Sequence, residues 1–356
     1  IKFQNGTLIG IEGSNKIYVI ENNKKRHIAS EDVYNAYGWD WNNIVWTNQI
    51  TGINHPTGQP IYLPSRLATS NNTIIKKTET SPVIEENGKM YAVEEHKADY
   101  IGSTYTTNIN TYLVADYDTK EILAGKNIET IRPAASFTKV ITAYRLMIEG
   151  LSLSKSSTYE SADHKSVYHR FRIAEGEKYL NQHLWYSMLV SSLNTPARIL
   201  VDSVEENEDL FIKRMNDQLK EWGLSKSKFV DPYGYDINNQ TTAREYMTIY
   251  INSERNKEVR GALSMKSYEY NELVDLDNMP HHYDYNSNEL VNTVGLPFKI
   301  ISSKTGYLDE AGAGLVMLIE RPKDGRKFIV ITMGNPDYNS RFEEPRQLAS
   351  WAIKNF

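Results

Sequence analysis

The sequence predicts a mixed α/β protein: an antiparallel sheet flanked by helices, a helical lobe beside it, and a small, mainly β module at the N-terminus. Three observations predict this. Strand signals stand at both ends of the stretch 105–356, from Thr111 to Leu123 and from Phe298 to Met333, the latter interrupted by a Lys323-Asp324-Gly325 turn. Helical signals fill the middle and return from Arg341 to Phe356. Antiparallel strands from the two ends can then close into one sheet, packed by the helix that follows Ser136 and by the last helix. The third observation is the texture of the first ~60 residues, where short apolar runs alternate with turn signals.

In that first part, Thr7 to Ile11 and Lys16 to Glu21 flank a Gly13-Ser14-Asn15 turn, and Asn22-Asn23 leads into Arg26 to Ala29, an antiparallel meander. Ser30 is placed to cap a short helix through Tyr37 that stops at Gly38. Trp39, Trp41 and Trp46 follow, serving either the module's own small core or an aromatic ligand platform. Ala68 to Ser81 reads as a polar linker, and Val83 to Val93 as a hairpin about Asn87-Gly88. The expected organisation is therefore a β-rich module over 1–66, a linker with a hairpin over 67–104, and the main domain over 105–356.

Length and composition bound the function. A chain of 356 residues exceeds one typical domain, and its net charge of -5 gives no reason to expect a nucleic-acid partner. No uninterrupted apolar run reaches membrane-spanning length, so a soluble protein is expected. The absence of cysteine excludes disulfides and thiolate metal sites, and it suits either the cytosol or a bacterial envelope protein that avoids thiols. The first residue is Ile1 rather than Met, as expected if an upstream signal or anchor had been removed. The His residues are scattered, with His281-His282 adjacent and His164 and His169 five apart, and neither a Gly-x-Ser-x-Gly elbow nor a His-Glu-x-x-His pattern occurs. Neither a metal site nor a cofactor is expected.

Three short motifs carry the chemistry. Ser136 and Lys139 stand three apart at the start of an apolar segment that closes at Gly150, so both side chains share one helix face. A serine there can be a nucleophile, and a lysine kept neutral can take its proton. Ser152/Lys155 and Ser225/Lys228 repeat the spacing, and an ordinary serine N-cap with a solvated lysine explains it equally. Ser192-Leu193-Asn194 falls at a junction between two helical segments, the second with Pro196 in its first turn. A hydroxyl and an amide there can relay a proton and hold a substrate amide, although Ser and Asn are common turn formers and Ser70 to Asn72 repeats the pattern. Lys304-Thr305-Gly306 follows the strand signal Pro297 to Ser303. It offers a cation and a hydroxyl to a carboxylate, with a glycine that lets a ligand backbone come close.

Taken in order, Ser-x-x-Lys, Ser-x-Asn and Lys-Thr-Gly resemble the penicillin-recognising serine peptidases, and most closely the D-alanyl-D-alanine carboxypeptidase family of low-molecular-weight penicillin-binding proteins. Thr111 to Lys120, Ala134 to Ala143, Phe229 to Gly234, Thr242 to Glu245, Asn286 to Leu290 and Lys304 to Gly312 are all similar to family signatures. The N-terminal part resembles, more weakly, small repeat-like modules of bacterial surface proteins, and its cell-surface ligand is left open.

The resemblance implies a penicillin-binding-protein/β-lactamase-like catalytic domain whose three motifs meet in a cleft. It implies an acyl-enzyme on Ser136 with Lys139 as base, Ser192 as proton relay, Asn194 on the substrate amide, and Lys304 and Thr305 on the carboxylate. The backbone N–H groups of Ser136 and of Tyr307, which follows Gly306, would form the oxyanion hole. Arg341 matches the position of an arginine that helps hold the terminal carboxylate. The implied partners are peptidoglycan stem peptides, with β-lactams as inhibitors, in the extracytoplasmic bacterial envelope. Members usually carry Gly and an acidic residue where this chain has Leu193 and Thr195, and the leucine is expected either to narrow the pocket or to shift substrate preference. A D,D-endopeptidase, a β-lactamase-like hydrolase and a non-catalytic surface binder are the alternatives. For Lys139 to act near neutral pH its pKa must fall about 3 units from about 10.4, by burial and by a neighbouring cation, for which Lys304 is the candidate.

Overall fold

The computed structural model describes residues 3, 4, 6–11, 16–21, 24–28, 34, 39 and 41–47, the strand backbones 74–78, 81–86 and 89–92, and 99–356 apart from 167–170, 206 and 339. The expected turns at 13–15 and at Asn87-Gly88 lie outside the described residues. So does the Ser30 to Gly38 helix, Tyr34 excepted. The chain divides into two compact units, Ile1–Ala98 and Asp99–Phe356.

In the first unit, β1 (Leu8–Ile11), β2 (Ile17–Glu21) and β3 (Lys24–His27) form the antiparallel meander, and β4 (Ile44–Thr47) joins β1 in parallel. Its core is Leu8, Val19, Ile28, Tyr34 and Ile44, with Trp39 packed against it. Trp41 stacks on Tyr34 at 4.0 Å, and Trp46 lies over Gly10, where a Cβ would meet the indole at 2.5 Å. These rings serve the module's own packing, although Trp41 and Trp46 stay half-exposed. A second sheet pairs β5 (Ile74–Thr78), β6 (Ser81–Glu86) and β7 (Lys89–Ala92). The stretch read as a polar linker thus contains a strand. Ile74, Ile75 and Thr78 are β-branched, and strand pairing with β6 outweighs the polar composition around them.

The second unit is built on a six-stranded antiparallel sheet. Its strands are β8 (Tyr100–Gly102), β9 (Thr111–Asp116) and β10 (Ile122–Lys126) from the front of the unit, and β17 (Lys299–Leu308), β18 (Gly312–Glu320) and β19 (Lys327–Asn335) from its end, in the order β17-β18-β19-β9-β10-β8. Strand β8 falls inside the segment 67–104 read as linker, and pairs with β10 as the edge of this sheet. Between the two strand sets come the short pairs β11 (Arg132–Pro133) with β14 (Gln240–Thr241), β12 (Ser156–Thr158) with β13 (Lys178–Leu180), and β15 (Ser267–Asn271) with β16 (His281–Tyr285). The helices are α1 (Thr138–Ile148), α2 (Ser161–His164), α3 (Asn181–Leu189), α4 (Asn194–Asp202), α5 (Glu208–Glu221), α6 (Ala243–Glu254), α7 (Lys257–Ser264) and α8 (Glu343–Asn355).

The central strands are buried on both faces, which is why they read as nearly continuous apolar runs. Tyr112, Val114, Leu315, Met317, Phe328 and Val330 face α8, through Leu348, Ala349 and Ala352. Their alternating neighbours, among them Leu113, Val316, Leu318, Ile329 and Ile331, join the core of the helical lobe. Helices α6 and α7 lie on that inner face, whereas α1 is held chiefly among α3 to α7. Val140, Ile141, Ala143 and Leu146 of α1 share one core with Leu113, Val316 and Ile329 of the sheet, and the 3-10 turn Ala135–Phe137 just ahead of the helix meets β17 directly.

Candidate active site

Ser136 sits in that 3-10 turn, which runs straight into α1; the N-cap position is Phe137 and carries no side-chain capping bond. The serine is thus not the ordinary N-cap. Its turn is held from three sides. Ala135 takes a left-handed φ of +49°, rare for a side-chain-bearing residue and a form of strain found at functional sites. Phe137 stacks on Tyr246 at 4.4 Å, and its carbonyl accepts from Tyr246 Oη at 3.1 Å. Gly234 presses so close that a Cβ would fall 1.8 Å from Ala135 O. Gly306 does the same from β17, where a Cβ would stand 3.2 Å from Ala134 O and from the Phe137 ring. What approaches this glycine most closely is therefore the chain's own turn.

One turn on, the fully buried Lys139 gathers the first corner of the site. Its Nζ donates to Ser136 Oγ at 2.9 Å, Asn194 Oδ1 at 2.7 Å and Tyr233 O at 2.5 Å. Burial lowers its pKa to about 7, against the opposing pull of Asp231. The Asp231 carboxylate accepts from the backbone N–H groups of Tyr233, Gly234, Tyr235 and Asp236 and from Asn239 Nδ2. That cradle is what aims the Tyr233 carbonyl at Lys139. The segment Phe229 to Gly234 was conspicuous in the sequence, but a backbone carbonyl as lysine ligand leaves no signal in residue types.

The second corner joins the other two motifs. Ser192 lies between α3 and α4 with φ +62°, a second strained non-glycine residue at the site. Lys304, 1% exposed, donates to Ser192 Oγ at 2.6 Å and to Thr305 O at 3.0 Å. Burial pushes its pKa well down, and the charge of Lys139 pushes it further. Of the two expected causes, burial acts on Lys139, whereas the effect of a neighbouring cation falls on Lys304. The Lys-Thr-Gly motif lies inside β17 rather than after a strand, with Lys304 paired to Val316 and Gly306 to Gly314.

Sequence reasoning missed Ser287, whose Oγ accepts from Thr305 Oγ1 at 2.6 Å and whose N–H donates to Val190 O at 3.0 Å. It belongs to the Asn286 to Leu290 segment noted above, and it ties that segment to the junction carrying Ser192. Asn194 turns its side-chain oxygen to Lys139. Leu193 packs against the lobe's core, an apolar outlet for its bulk that the expectation of a narrowed pocket did not foresee. Thr195 is buried and shares a hydrogen bond with Ser166 Oγ.

Tyr307 is partly exposed, with its hydroxyl on Asp309 Oδ1 at 2.6 Å and its ring 4.7 Å from Tyr338. Arg341 lies two residues ahead of α8, its guanidinium 3.8 Å over Tyr338, and donates to Tyr338 O and to Glu289 Oε1 at 3.1 Å. Its described bonds are to these residues and not to the three motifs. Among the described residues no helix is long and apolar enough to cross a membrane.

A partly buried serine bonded to a fully buried lysine lies at the edge of an antiparallel sheet, with a second lysine and serine beside it. Residues 98–337 match the D-alanyl-D-alanine carboxypeptidase family, and the chain belongs to it. It is 27% identical over 209 residues to a D-alanyl-D-alanine endopeptidase of Pseudomonas aeruginosa, covering 58% of this chain and 65% of the relative. It is 25% identical over 259 residues to the D-alanyl-D-alanine carboxypeptidase DacA of Haemophilus influenzae, covering 69% of this chain and 62% of the relative. The match thus spans under two thirds of either relative's length. The fold is shared with the crystal structure of a D-alanyl-D-alanine carboxypeptidase from Mycobacterium tuberculosis H37Rv, at a TM-score of 0.62 and 22% identity, over 72% of this chain and 95% of that one.

Proposed function

We propose that the protein is a serine D,D-peptidase of peptidoglycan stem peptides, acting in the extracytoplasmic envelope with Ser136 as nucleophile and Lys139 as base. The observation that carries this is the 2.9 Å contact between Lys139 Nζ and Ser136 Oγ, with the amine's pKa near 7. A neutral amine there accepts the serine proton as Oγ attacks the peptide carbonyl. The carbonyl oxygen develops negative charge against the N–H groups of Ser136 and Tyr307. As the C–N bond breaks, the proton passes by way of Ser192, held by Lys304, to the leaving amine. Water then attacks the ester and returns the hydrogen to Ser136. Asn194 holds Lys139 in line, and Lys304 and Thr305 receive the substrate's carboxylate. β-Lactams would acylate the same oxygen. Residues 99–356 would suffice for all of this, since every residue named lies there.

Carboxypeptidase action on a terminal D-Ala is our reading of the finer activity. Arg341 stands next to Tyr307 through Tyr338, and its pair with the 71%-exposed side chain of Glu289 is a surface pair of roughly 0–1 kcal/mol, easily exchanged for a substrate carboxylate. The same pair, if kept, favours the second reading, an endopeptidase in which no free carboxylate is read. Labelling by fluorescent penicillin, with the adduct mapped by mass spectrometry, tests the site: it should fall on Ser136 and vanish in Ser136→Ala. An adduct elsewhere, or none on folded protein, rejects the assignment. Release of D-alanine from a peptide ending in D-Ala-D-Ala tests the finer reading, and cleavage of cross-linked muropeptides without D-alanine release rejects it.

A further inference from the structure

Away from the three motifs, the loop between β15 and β16 closes over a set of buried acids. Glu177, Glu272 and Asp277 each bring a carboxylate oxygen to within 4.8 Å of the others, and the side chain of Glu272 is 0% exposed. Charges in such a place need compensation, because an unpaired buried carboxylate costs several kcal/mol. Among the described residues the cation here is Arg172, and it is spent mainly on Asp277, donating to both oxygens at 2.9 and 2.8 Å, with Glu272 at 3.5 Å. Glu177 is oriented by the Ala174 N–H and Tyr179 Oη on Oε2 and by the Leu276 N–H on Oε1. Glu272 Oε1 meets His282 Nε2 at 2.6 Å, but its Oε2 is buried with no hydrogen-bond partner among the described residues.

We propose that Glu177, Glu272 and Asp277 form a divalent-cation site, selective for a hard ion of calcium type, that clamps the β15–β16 loop to the segment before β13. An all-oxygen, all-carboxylate donor set selects hard cations over zinc or copper. Oxygens within 4.8 Å of one another can be reached by one ion with ligands at about 2.4 Å, the calcium range. The unpartnered Glu272 oxygen becomes a ligand. Asp277, 26% exposed, supplies the side from which water completes the shell. No metal motif was read in the sequence because two of the three ligands are nearly a hundred residues apart, at 177 and 272.

The site would act on the candidate active site through β16. That strand leaves the acidic loop at His281 and ends at Tyr285, whose carbonyl accepts from Ser191 Oγ at 3.0 Å, next to Ser192 and two residues before Ser287. The proposal does not depend on the peptidase reading, since its test reads binding and stability directly. The full chain is dialysed against EDTA, then melted and titrated calorimetrically with calcium chloride, with potassium chloride at equal ionic strength as control. Saturable binding is expected, with Tm raised by about 5 °C or more at a hundredfold excess over Kd. Glu272→Gln keeps the shape and removes the charge, so it should melt cooperatively and lose both the heat and the shift. Asp277→Asn, at the rim, should weaken binding at least tenfold. Saturable heat lost in these variants supports the site. An equal response of wild type and Glu272→Gln, or no saturable heat with calcium, manganese or magnesium, overturns it.

Discussion

The two lysines of the cleft are both buried and both depressed, yet they live in different company. Lys139 is ringed by three oxygens, from Ser136, Asn194 and Tyr233, and feels the carboxylate of Asp231, which holds it near 7. Lys304 has a hydroxyl and its neighbour's carbonyl, and feels Lys139 instead of an acid. The difference teaches that burial alone does not make a base: the nearest charge decides which of two desolvated amines sits at the pH where it can cycle its proton. It also gives Lys304 a reason to welcome an anion, because an incoming carboxylate is the counter-charge it lacks.

The comparison can be broken most decisively at the first corner. Ser136→Ala and Lys139→Arg should each lower penicillin acylation by on the order of 10⁴-fold or more, the arginine keeping the charge but unable to give up its proton. Acylation of Lys139→Arg at the wild-type rate would move the base elsewhere. Lys304→Gln should cost on the order of a hundredfold, through loss of the hold on Ser192 and of the cation for the carboxylate. A still smaller effect sharpens the contrast. Acylation should rise with pH along a limb near 7, since Lys139 is charged below and neutral above. Asp231→Asn, which removes the charge that raises this pKa, should move the limb to lower pH in whatever fraction stays folded. A limb unmoved in folded variant would remove Asp231 from the electrostatics. Smallest of all, Arg341→Ala should reduce kcat/KM on a D-Ala-D-Ala peptide by roughly tenfold while leaving penicillin acylation within about twofold. Equal losses on both would assign Arg341 to the fold.

Much of the architecture was legible because the sheet strands carry their burial in their composition: Phe328 to Ile331 and Leu315 to Ile319 are apolar throughout and can hardly be anything but two-sided core. The motifs were legible through their order and local setting rather than their spacing, since Ser152/Lys155, Ser225/Lys228 and Ser70/Asn72 repeat two of the patterns elsewhere in the chain. What escaped was set by the backbone. Composition hid the strand Ile74–Thr78 inside a polar stretch, and hid the edge strand Tyr100–Gly102, whose side chains are exposed. The left-handed turns at Ala135 and Ser192, the Tyr233 carbonyl on Lys139 and the close approach of Gly306 to Ala134 depend on positions in space that no local pattern encodes. Arg341 shows the opposite case, a matching position in the sequence whose side chain is bonded elsewhere at rest.

Folding itself must register the buried amine. In the unfolded chain Lys139 titrates near 10.5, and in the folded protein near 7. Between those values the unfolded state holds a proton that the native state has released, so stability grows as pH rises, by at most about 1.4 kcal/mol per pH unit, and Lys304 contributes with the same sign. Melts from pH 7 to 9.5 should climb in the wild type and climb less steeply in Lys139→Met, where Lys304 alone remains; a fall over that range in the wild type would contradict the burial of an amine. Acid therefore strikes this protein twice with one proton, silencing Ser136 and loosening the native state together.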